Sequence, residues 1–174
     1  DRQICECDTE IETRYTQLAS VWPDGEDTLP PPEPRRGKPR KNQAHFDLAT
    51  SLYQMVGVDL TAIDGLDALT VQKVIAEIGL DVSKWPTVKH FASWLGLAPN
   101  TKKSGGKVLS SHSKKTKNRA NAALRVAAQS LSRSHSASGA FYRRIRARKG
   151  AAEANVATAH KLARIIYHML KYRQ

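Results

Sequence analysis

The sequence predicts an all-α, strongly basic protein, and three observations carry that expectation. Apolar residues recur at three-and-four spacing along most of the chain, Gly or Pro closes nearly every such stripe, and little of the chain alternates apolar with polar residues. About 40% of the 174 residues are apolar, enough for one helical domain with a real core plus an appendage.

The first stripe is Ile4, Ile11, Tyr15, Leu18 and Trp22, with Asp8 in one slot where an apolar residue is expected. It reads as the end of a coiled-coil-like amphipathic helix over 1–22, one that continues upstream, and Pro23-Asp24-Gly25 stops it. Residues 23–43 form a linker. Leu29-Pro30-Pro31-Pro32-Glu33-Pro34 is extended, and the basic tract 35–41 suits phosphate contact and a solvated linker equally.

A helical domain over 44–174 follows. Phe46, Ala49, Leu52, Tyr53 and Val56 make one stripe ended by Gly57, and Leu69, Val71, Val74, Ile75 and Ile78 make the next, ended by Gly79. Trp85-Pro86-Thr87 starts a short helix (Phe91, Trp94, Leu95) stopped by Gly96 and Pro99. Residues 100–117 are a Ser/Lys/Gly loop with no pattern beyond Lys107-Val108-Leu109, long enough to suggest a functional or mobile segment. From Asn118 a helix buries Ala120, Ala123, Leu124, Ala127 and Leu131. After Ser138-Gly139 comes a very basic helix over 141–149, anchored by Phe141, Tyr142 and Ile145. The last helix, about 153–172, is apolar around most of its circumference, with Lys161, Arg164, His168 and Lys171 on a narrow arc; it reads as a central packing helix.

Charge narrows the partner. The formal net charge is +12, and it is unevenly placed: residues 1–34 carry nine acids against Arg2 and Arg14, whereas from Pro99 onward 18 Lys/Arg face Glu153 alone. A merely solvated face mixes signs, so this imbalance calls for a polyanion, and nucleic acid fits best. A membrane does not: there is no apolar run of about 18 residues to span one, and an inserting face would need more bulky apolar residues. The chain begins at Asp1, with no initiator Met and no signal-like stretch, so a fragment of a longer cytoplasmic protein is expected. Cys5 and Cys7, two apart on a helix, point to different faces and read as reduced thiols rather than metal ligands.

Two segments are candidates for chemistry. Residues 60–79 have the form of a helix-hairpin-helix, whose turn at Gly65 would offer backbone N–H groups to a DNA phosphate. Asp67 stands where a second glycine is usual and would repel phosphate, so a hairpin used only for packing is an equal reading. The other segment holds Lys102, Lys103, Ser104, Gly105, Gly106 and Lys107, followed by Lys114, Lys115, Lys117 and Arg119. The glycines admit a phosphodiester, and the lysines would offset the charge of a pentavalent transition state. A serine among them has the setting of a nucleophile; a phosphate-gripping loop whose serines only hydrogen-bond is the plainer reading, and Ser110, Ser111 and Ser113 compete with Ser104. No His, Cys or acidic cluster has metal spacing, and Asp59, Asp64 and Asp67 are more simply helix caps.

The ordered series Leu60-Thr61-Ala62-Ile63-Asp64-Gly65, Val74-Ile75-Ala76-Glu77-Ile78-Gly79, Trp94-Leu95-Gly96-Leu97-Ala98-Pro99, Ser104-Gly105-Gly106-Lys107, Lys117-Asn118-Arg119 and Leu124-Arg125 resembles a transposase family. Residues 58–172 look like the C-terminal, serine-bearing domain of the bacterial insertion-sequence IS110 transposases, the RNA-guided recombinase group. The resemblance implies that Ser104 is the nucleophile that joins covalently to DNA. It implies that Mg²⁺ and its four acids belong to an N-terminal RuvC-like domain, so this fragment alone is expected to be inactive and to hold no cofactor. It further implies DNA, a structured guide RNA and a second copy of the chain as partners. Lys107, Lys117, Arg119 and Arg125 match basic family positions; Arg143, Arg144 and Arg146 on the basic helix join the expected nucleic-acid contacts. The alternative is a non-catalytic helix-hairpin-helix DNA- or RNA-binding module, and a third reading is an assembly module that dimerises through 1–22.

Overall fold

The computed structural model describes residues 2–19 and 43–173; Trp22 and nearly all of the expected linker, with its basic tract, lie outside the described residues. Helix α1 runs Arg2–Ala19, α2 Leu48–Val56, α3 Ala68–Ile78 and α4 Val88–Trp94. A two-stranded hairpin follows, β1 Lys102–Ser104 and β2 Lys107–Ser110, and then α5 Arg119–Ser130, α6 Ala137–Lys149 and α7 Ala151–Tyr172. The described residues are thus mostly helical, with this small sheet in addition.

Local chemistry sets the helix ends. Asp47, Asp67, Thr87, Asn118 and Ser136 each accept a hydrogen bond from a backbone N–H of the helix they precede, which satisfies one of its orphan donors. Gly57 closes α2 in the left-handed conformation, with its N–H on the Tyr53 carbonyl. The segment 60–79 departs from a helix-hairpin-helix: its first limb is a three-residue 3₁₀ turn, Leu60–Ala62, capped by Asp59. The basic helix also starts earlier than expected. Ser136 caps it, and Ser138-Gly139 lies inside its first turn, because a Cβ at Gly139 would come 2.3 Å from the Ser134 carbonyl oxygen. Absence of a side chain here permits close packing rather than a break.

α7 is the central packing element, as its broad apolar face requires. It lies against α4, α5 and α6. Ala120, Ala127, Ala128, Ala154, Ala159 and Ala163 are all buried, and these small side chains let helices approach closely. Larger groups fill the end near α4: the Trp85 and Phe91 rings meet edge-on at 4.9 Å, Tyr167 lies 5.5 Å from Phe91, and the Tyr167 hydroxyl donates to the Trp85 carbonyl at 2.8 Å. That bond satisfies the buried hydroxyl, which also accepts from Lys171 Nζ at 3.0 Å.

α1 packs on the domain rather than standing free. Tyr15 meets Phe46 edge-on, Gln72 donates to the Tyr15 hydroxyl at 3.0 Å, and the His45 N–H donates to Asp8 Oδ2 at 3.0 Å. Asp8, the misfit in the apolar stripe, is therefore a docking group. Ile4 and Leu18 stay exposed at 58% and 42%. No helix among the described residues is long and apolar enough to cross a membrane.

Candidate nucleic-acid interface

Ser104-Gly105-Gly106-Lys107 builds a tight hairpin. Both glycines have positive φ (53° and 76°), the combination of a type I′ turn, whose twist matches that of the strands it joins. Ser104 pairs with Lys107 and Lys103 with Val108; a register shift separates Lys102 from Lys103, and Lys102 pairs with Ser110. Alternation along β1 sets Lys102 on the face of Ser104, and the Ser104–Lys107 pairing sets Lys107 there too. Residues 102–109 are all exposed, and a Cβ at Gly105 or Gly106 would meet nothing within 4 Å. The hairpin is a projecting finger. It replaces the patternless loop expected over 100–117, and the Gly-Gly pair between Lys-Ser and Lys-Val was the signal for it in the sequence.

The base of the finger is fixed to the helices. Pro99 bridges Ser113, and the Asn100 N–H donates to the His112 carbonyl at 3.1 Å. The returning chain crosses Gly96 so closely that a Cβ there would lie 2.6 Å from Thr116 Cγ2. Buried Asn121, one turn into α5, donates from Nδ2 to the Leu95 carbonyl at 2.7 Å. Exposed Lys114, Lys115, Lys117 and Arg119 follow the finger along this base, and exposed Arg125 lies further along α5.

The remaining expected residues lie elsewhere. Gly65, with φ of 86°, packs against the other end of α5: a Cβ there would lie 2.9 Å from Leu131 Cγ and 3.2 Å from the Ala127 carbonyl oxygen. α5 has twelve residues, about 18 Å of helix, so this turn and the finger sit at opposite ends of it. The Asp67 carboxylate already occupies the α3 N-terminus by accepting from the Thr70 N–H at 2.9 Å. The Arg143 guanidinium donates to the Ser132 and Ser134 carbonyls, which ties α6 to the preceding turn. Arg146 is exposed on α6, whereas Arg144 lines a groove between α6 and α7 together with Lys161, Arg164 and His168 from the polar arc of α7. In that groove His160 is pushed below the usual histidine value, first by burial and then by the charge of Arg164.

Cations far outnumber acids across this half of the molecule. Both ion pairs between described residues, Arg2–Glu6 and Arg14–Glu10, lie on α1. No group of three or more His, Cys, Asp or Glu that could hold a metal ion exists among the described residues. Ser104 Oγ has no hydrogen-bond partner among the described residues. The finger therefore offers an uncommitted hydroxyl beside lysines on a face that a polyanion can reach.

Residues 58–143 match the family model of the transposase IS116/IS110/IS902 family. Over 114 residues the chain is 32% identical to the insertion element IS110 uncharacterized 43.6 kDa protein of Streptomyces coelicolor (strain ATCC BAA-471 / A3(2) / M145); the match covers 64% of this chain and 28% of that protein. No solved structure matches the chain. The matched segment, residues 58–143, belongs to the IS116/IS110/IS902 transposase family.

Proposed function

We propose that this chain grips DNA with its hairpin finger and supplies Ser104 as the nucleophile for cutting and rejoining strands. The observation that supports the reading is the position of Ser104: beside the Gly105-Gly106 turn, directly across from Lys107, on an exposed finger. In the reaction Ser104 Oγ attacks phosphorus. An Oγ–P bond forms as the bond from phosphorus to one sugar oxygen breaks, and the proton given up by serine is balanced by the one the leaving hydroxyl takes. The phosphoserine link conserves the phosphoester, so the hydroxyl of an exchanged strand can attack it and release the serine. Lys102 and Lys107 offset the charge of the crowded transition state, and the side-chain-free turn lets the duplex approach.

The chain spans 28% of the length of its curated relative. We propose further that Mg²⁺ and its acids are held by a RuvC-like part of a longer protein, with a structured guide RNA and a second copy of the chain as partners. In a complete transposase carrying this chain, Ser104→Ala is expected to abolish both the covalent protein–DNA adduct and strand exchange while nucleic-acid binding persists. The same change at Ser110, Ser111 or Ser113 is expected to leave the adduct intact. An adduct that survives Ser104→Ala removes the nucleophile assignment. A second reading, a non-catalytic nucleic-acid-binding module, needs only the exposed cations of the finger and its base, and trapping the adduct separates the two.

A further inference from the structure

The groove between α6 and α7 has no part in the strand-exchange reading, yet its lining is chemically specific. It is an open groove of about 730 Å³, within the size range of small-ligand sites. On one side the Phe141 ring holds two cations, Lys161 Nζ at 4.9 Å and Arg144 Cζ at 5.5 Å from its centroid. On the other side His168 and Tyr172 are stacked, with centroids 5.6 Å apart and planes 15° apart. Arg164 is exposed at the same groove. Tyr172 is 57% exposed, so its ring contributes little to the core.

No acid lines the groove, α6 has none, and Glu153 of α7 sits in that helix's first turn. Arg144, Lys161 and Arg164 are therefore held together with no carboxylate of the described residues against them. Three such cations in one concave site attract an anion. An exposed stacked ring pair beside them adds a second requirement, a flat π-face. A duplex keeps its base faces covered, and a bare phosphate has none. An unstacked nucleotide in a single strand supplies both groups at the right scale.

We propose that the α6–α7 groove is a second nucleic-acid site, which takes a single-stranded segment, its phosphodiester on Arg144, Lys161 and Arg164 and one base against the Tyr172–His168 pair. This site is separate from the finger, and each can exist without the other.

The test is fluorescence anisotropy of the full chain with oligothymidine, oligouridine and a duplex, each on the order of ten nucleotides long. Tyr172→Ala is expected to weaken single-strand binding about tenfold, the loss of one base–aromatic stack, with duplex binding unchanged and with Tyr172→Phe close to the parent. Arg164→Glu is expected to weaken single-strand binding and lower its salt dependence. Photocrosslinking with 5-bromouridine is expected to mark Tyr172 or His168. The thymidine and uridine arms identify the preferred strand, and a loss in either supports the site. An equal loss on duplex and single strands, no loss at all, or adducts confined to residues 102–110 overturns it. Lys102→Ala with Lys107→Ala, measured alongside, keeps the outcomes apart: if only that pair matters the groove fails and the finger stands, and if only Tyr172 matters the reverse holds.

Discussion

In the finger, residues 102–109 are all exposed and its two turn glycines face open space. In the body beneath it, Phe91, Leu162, Ile166 and Tyr167 are 0–2% exposed and interlock across α4 and α7. The finger keeps its shape through a Gly-Gly turn and a short ladder, so its side chains are free to meet a ligand. The body keeps its shape through packing, so its side chains are committed. Substitutions should therefore divide into those that change stability and those that change binding, and one buried amide, that of Asn121, ties together the two helix ends from which the finger rises.

Phe91→Ala should show the largest effect. Removing a fully buried ring from between Trp85 and Tyr167 is expected to cost about 3–5 kcal/mol in denaturant unfolding, while whatever remains folded binds nucleic acid as before. A stability change below that of an ordinary surface substitution would break the contrast. Asn121→Ala tests the joint. It removes the hydrogen bond to the Leu95 carbonyl and leaves a buried acceptor unsatisfied, at about 1–3 kcal/mol. Faster amide exchange at the finger base, residues 97–116, is the diagnostic readout, and unchanged exchange there would show that the finger is anchored by other contacts. Lys107→Ala, on the exposed strand, should leave the melting temperature unmoved. It is expected to lower the slope of log affinity against log salt by about 0.9, the contribution of one phosphate contact.

Much of this arrangement was legible in the residues themselves. Gly57 and Gly79 end helices where the stripes end, Asn118 and Thr87 cap the helices that follow them, and the apolar breadth of α7 announced a central element. These are local effects, decided by a residue and its neighbours within one turn. The finger was less visible, because a hairpin of eight or nine residues with exposed faces has no buried stripe to repeat. Glycine is a poor helix former, so Gly139 looks like a break in the sequence; a carbonyl oxygen 2.3 Å from its would-be Cβ gives it a different purpose. Asp8 looked like a flaw until the distant His45 N–H reached it.

By itself the sequence determined the helical character, the helix boundaries to within a few residues, and the partition of positive charge toward the C-terminal half that calls for a polyanion. These depend on periodicity, backbone conformational preference and charge count, all properties of residues near one another in the chain. Tertiary structure alone decided which cations are available. It placed Lys102 and Lys107 on the face of Ser104, bound Arg143 to backbone carbonyls, and gathered Arg144, Lys161 and Arg164 at one groove. Those outcomes depend on strand register and on which helices touch, contacts between residues that the chain itself keeps apart.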